Sequence, residues 1–89
     1  MQISYLRDLL EASVLCGEDR LEEDVSTVFA SDMMSDVLAF VKDQSVLLTG
    51  LLNPQVVRTA EMMDMRCIVF VRGKIPDESV VELAREMEI

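Results

Sequence analysis

The chain predicts a small α/β domain on a mostly parallel sheet, and three observations carry that reading. From Val25 onward, short β-prone runs alternate with helical periodicity in the order β-α-β-α-β-α. Alternation of that kind implies parallel strands joined by helical crossovers. The run C-I-V-F-V from Cys67 to Val71 is apolar at every position, as strands buried on both faces are. Each helical stretch also has a start signal: Ser31-Asp32, Asn53-Pro54 and Pro76-Asp77.

Ile3 to Glu11 reads as an N-terminal helix, with Ile3, Leu6 and Leu10 at helical spacing and Leu9 beside them. Ser13 to Cys16 is a short apolar piece, read as a strand. Glu18 to Asp24, E-D-R-L-E-E-D, is a charged connection and the segment most expected to move. Val25 to Ala30 is a strand that runs straight into a helix from Asp32 to Val41. That helix offers Met33, Val37 and Phe40 on a broad apolar face, with Met34, Leu38 and Val41 alongside. Ser45 to Thr49 is the next strand, closed by Gly50.

Asn53 is placed to cap the following helix. Pro54 at its first position loses only an N–H that would have had no partner. This helix runs to Met63 and turns Val56, Val57, Ala60 and Met63 inward. Arg66 to Val71 is the third strand. The last helix starts at Pro76-Asp77, with Asp77 capping and Glu78 where the helix dipole favours an acid. Its inner face is Val80, Val81, Ala84 and Met87.

Eighty-nine residues bound the answer to one domain with one core, and 51% hydrophobic residues suffice to form it. No apolar run approaches the roughly 20 residues of a membrane span. The first residues lack the basic and apolar regions of a signal peptide, so a cytoplasmic protein is expected. Eight basic against seventeen acidic residues leave a net charge of −9. Repulsion then disfavours nucleic acid and anionic membranes as partners.

Cys16 and Cys67, without a histidine anywhere, cannot complete a tetrahedral metal site within one chain. Neither a cofactor nor a metal is implied. With no histidine for acid–base work and no nucleophile elbow, no enzyme is expected.

The run L-E-E-D-V-S-T-V-F-A-S-D-M-M-S-D-V-L-A, with C-I-V-F-V-R-G-K-I-P-D-E farther on, resembles the DRTGG domain family. Leu21, Val25, Asp32, Met33, Met34, Ser35, Asp36 and Val37 fall on its pattern without a gap, and Gly73 and Pro76 match later. Glu22, Glu23, Ser26, Thr27 and Val28 stand where the family carries D, R, T, G and G. The resemblance implies a fold like the N-terminal domain of HPr kinases and a non-catalytic regulatory or dimerisation module. Such modules accompany CBS domains in regulated pyrophosphatases, occur in phosphotransacetylase-type enzymes, and stand free beside hydrogenase and other redox genes. Family members usually continue past this point with a proline, a further strand and a helix. The expectation is therefore an uncovered sheet edge or apolar groove, and a homodimer that covers it.

In a parallel α/β sheet, ligands bind at the carboxyl ends of the strands. Those ends carry Ser31-Asp32, Thr49 through Asn53, and Arg72-Gly73-Lys74, the one tight basic cluster of the chain. Arg72, Gly73, Lys74, Thr49 and Asn53 form the candidate site for a nucleotide or other anionic metabolite, against the plainer reading of a solvated turn. Asp32 and Asp36, at i and i+4, are weighed as a magnesium pair against first-turn acids that complement the dipole. Met33, Met34, Met62, Met63 and Met65 are an adaptable surface for a second copy or a metabolic or redox enzyme, against ordinary core filling.

Overall fold

Alternation along the chain becomes three strands in one sheet, ordered β1-β2-β3 and parallel throughout. The computed structural model describes residues 1–40, 45–71 and 75–89. Helix α1 (Ile3–Leu10) leads through a 3₁₀ turn (Glu18–Arg20) into β1 (Thr27–Ala30). Then come α2 (Met34–Phe40), β2 (Ser45–Thr49), α3 (Pro54–Met62), β3 (Cys67–Phe70) and α4 (Glu78–Glu86).

Register decides which residues share a face. Thr27 stands opposite Ser45 and Phe29 opposite Leu47, while Leu47 faces Ile68 and Thr49 faces Phe70. With a side-chain period of two, Phe29, Leu47, Ile68 and Phe70 point one way, and Val28, Val46, Leu48, Cys67 and Val69 the other. The first face carries the principal core, where Leu47, Val37, Val56 and Ala60 have no exposed surface and Met34 and Met65 are buried with them. Val57, also fully buried, joins α3 to Val80 and Ala84 of α4. Burying each large aliphatic side chain contributes about 1.5–3 kcal/mol.

The second face is covered only in part. Ile3 and Leu6 of α1 pack on Val46 together with Val25, while Leu48, Cys67 and Val69 are partly covered. Backbone bonds hold α1 there: the Ser4 N–H donates to the Leu21 carbonyl at 2.8 Å and the Val25 N–H to that of Met1 at 2.7 Å. The charged connection before β1 is thus tied to α1, with Leu21 among the side chains packed against that cluster.

Three expectations need correction. Ser13 to Cys16 form no strand, because no described strand pairs with them. Helix α2 starts at Met34, two residues later than expected: the Met33 carbonyl accepts from Asp36 and Val37, so Met33 occupies the capping position. Asn53 and Asp77 have the extended backbone of N-caps, but neither side chain bonds its helix. Their carbonyls accept the first helical N–H groups instead.

Candidate functional site

The carboxyl ends of β1 and β2 are laced together by Asp32. The Ser31 N–H first extends the ladder to the Leu48 carbonyl at 3.0 Å. Ser31 Oγ then accepts the Met33 N–H at 3.0 Å, and this turn swings Asp32 back over the sheet. Asp32 Oδ1 accepts the Gly50 N–H at 2.7 Å and the Thr49 hydroxyl at 3.2 Å. Thr49 Oγ1 in turn accepts the Leu51 N–H at 3.1 Å. A carboxylate acceptor makes the short contact strong, and the network rigidifies the junction between neighbouring strands.

This geometry redistributes the expected ligand residues. Thr49 is buried at 1% exposure, with its hydroxyl used as donor and acceptor. Asn53 is exposed. Arg72, Gly73 and Lys74 lie outside the described residues. The carboxylate of Asp32 stands beside Thr49 and Gly50 at these two strand ends. Because α2 starts after Asp32, the i,i+4 pairing with Asp36 lapses, and Asp36 alone occupies the first turn, where the dipole favours it. Among the described residues, no group of three or more metal-ligating side chains stands together.

The methionines divide between core and surface. Met34 and Met65 are buried in the principal core and Met63 packs partly against it, as flexible gap-fillers do. Met33 and Met62 are 61% and 70% exposed. Met33 precedes α2 at the carboxyl end of the sheet, and Met62 ends α3, which runs back toward the amino end. They therefore form no single patch.

A hollow lies elsewhere, along the free edge of β3. It measures about 610 Å³ and is lined by α1, by residues 10–17 and by Val80, Val81 and Ala84 of α4. Cys16 and Cys67 both line it. Cys67 keeps some exposed surface, yet burial around its thiol pushes the pKa up to about 11, with nearby Cys16 adding to the rise. Burial also raises the pKa of Cys16, against the lowering influence of Arg85 and Arg20. The Cys16 thiol donates to the Ile89 carbonyl at 3.3 Å. Both thiols are thus kept protonated, the opposite of a reactive cysteine.

A model of the DRTGG domain matches residues 6–89. The chain belongs to the DRTGG domain family. It matches no curated protein and no solved structure. The DRTGG family is of regulatory type. In this DRTGG domain the namesake positions serve the sheet: Thr27 and Val28 are residues of β1, and the Thr27 hydroxyl meets that of Ser45. Glu23 pairs with Arg66 at 3.7 Å. Sequence reasoning missed the Asp32 latch, because Asp32 read as a helix cap. It expected an uncovered sheet edge or apolar groove without saying which strand would border it, since that depends on the order of the strands.

Proposed function

We propose that this DRTGG domain is a non-catalytic regulatory module that works by protein contact and pairs with a second copy of itself. The observation that carries the reading is an apolar surface beside α1. Ile3 and Leu6 of α1 pack down on the sheet, and Arg7 lines the hollow beside β3. The opposite flank of the helix, Tyr5 and Leu9, therefore lies toward β1. Tyr5 and Leu9 are 58% and 63% exposed, and on that side of the sheet Val28 is 42% exposed. Uncovered apolar surface shared by a helix flank and a strand face is what an interface offers. Tyr5, Leu9 and Val28 are themselves uncharged, and the nearest acid on α1 is exposed Asp8, one turn from Tyr5.

A larger metabolic or redox enzyme is the kind of protein such a module would regulate.

A dilution series followed by methyl NMR tests the pairing. Resonances of Leu9 and Val28 should shift with concentration, and Leu9→Lys should abolish the shifts without altering the fold. Concentration-independent spectra from the micromolar to the millimolar range would refute it.

A further inference from the structure

Two hollows of the molecule meet at one contact. Next to the apolar hollow beside β3 lies a more polar recess of about 260 Å³, bordered by Glu23, Glu61, Asp64 and Glu88. Among the described residues, Arg20, Arg66 and Ile89 line both and form the partition between them. Arg66 is fixed by its place before β3 and by Glu23 at 3.7 Å. Ile89 lies beyond α4 and is the member of the three that can move.

The contact is closely built. The Ile89 carbonyl accepts the Cys16 thiol at 3.3 Å and Arg20 Nη2 at 3.4 Å. Gly17 holds φ at 77°, and a Cβ there would stand 3.0 Å from Arg20 Nη2 and 3.2 Å from the Ile89 carbonyl oxygen. Glycine suits both that backbone and that gap. The Ile89 side chain packs against the principal core and against the cluster between α3 and α4.

The same contact carries two local costs. Arg20 Nε is buried without a hydrogen-bond partner, and opening would return that donor to water. Glu88 holds a left-handed φ of 61° without being glycine, a conformation that a released chain sheds. Against these costs stand the half-buried Ile89 side chain, one weak thiol donor, one long guanidinium bond and the Ile89 N–H donating to the Ala84 carbonyl at 3.0 Å. A contact balanced in this way has two arrangements.

We propose that Ile89 is a gate, latched by Cys16, Gly17 and Arg20, whose release joins the apolar hollow to the polar recess. Release also bares the apolar surface that Ile89 covers. The open form then offers an apolar ligand more contact than the closed form does, so such a ligand draws the gate open. The device stands apart from the self-association reading and uses none of its residues.

The probe is N-phenylnaphthylamine, a neutral apolar dye, so that removing an arginine does not change its charge attraction. Binding is read by fluorescence and located by NMR shifts at Phe70 and Ala84. Because each ligand and the gate bias one equilibrium, saturating dye should speed amide exchange at Ile89 in the wild type by at least about threefold. Exchange at Leu47, in the centre of the sheet, should not change. Arg20→Ala should speed Ile89 exchange and tighten dye binding, each by at least about threefold. Gly17→Ala, which crowds the latch without removing its charge, should act in the same direction. Circular dichroism and the Leu47 amide check that both variants keep the fold.

Dye bound at Phe70 with unchanged Ile89 exchange would overturn the gate. So would an Arg20→Ala chain that frees Ile89 without tightening the dye, because the tail would then fray without gating anything. Dye that meets only Leu9 and Val28, or that binds neither protein, would overturn it as well. Unchanged Ile89 exchange in both variants would overturn the latch.

Discussion

Asp32 shows how one side chain changes role between sequence and fold. Next to a helical run it reads as a cap, since a short acid before an apolar periodic segment is the usual signal. In the fold it crosses to the neighbouring strand and satisfies Gly50 and Thr49. Asp32→Ala should therefore strand a buried hydroxyl and a backbone N–H, costing about 1–3 kcal/mol in urea unfolding. Asp32→Asn, which keeps an acceptor oxygen, should cost less.

Cys67 gives a second expectation at this scale. Its pKa is raised in the fold from an ordinary 9.0 to about 11, so the folded state holds the proton that the unfolded state releases first. Stability from this group is fully present below pH 9.0 and is lost as pH rises toward about 11. Two pK units correspond to roughly 2–3 kcal/mol. Wild type should thus lose more stability than Cys67→Ala between these pH values, as read by denaturant midpoints. Equal slopes would contradict the burial argument.

The elements themselves were largely legible. Ser45–Thr49 stands as the spacing placed it, and the inward faces of α3 and α4 carry the expected Val56, Val57, Ala60, Val80 and Ala84. Periodicity recovers these because burial on one face leaves a repeat in the chain. Ser13 to Cys16 misled because an apolar run does not by itself record pairing: Val14 and Cys16 are partly buried and Leu15 is exposed, and the segment lines a trough without joining a ladder. Capping signals were likewise correct in place and wrong in mechanism.

Leu47, fully buried at the centre of the sheet, should be costly to truncate, with Leu47→Ala destabilising by about 2–5 kcal/mol. Asn53→Ala should stay within about 0.5 kcal/mol, because the side chain makes no cap bond. A loss near 1 kcal/mol, the usual value for a cap, would show that the side chain does cap in solution.

At the scale of the whole molecule, the helices α2, α3 and α4 cover one face of the sheet while α1 covers only part of the other. Among the described residues, the α1–β1 patch and the β3 trough are apolar surfaces left over. Their positions were not readable from composition, since exposed Leu9 and buried Leu6 look alike until a helix is laid on a sheet. The methionines were conspicuous by number, but Met34 and Met65 fill core gaps.

The charge of −9 sets how self-association should respond to salt. Like charges repel two copies at low ionic strength and are screened as salt rises. Pairing should therefore strengthen from low to physiological salt.

Light scattering of the purified protein at high micromolar concentration and physiological salt tests the central claim most directly. The account predicts a mass of twice the 10.0 kDa chain, falling to one chain in Leu9→Lys. A mass of 10.0 kDa for the wild type under those conditions would contradict it.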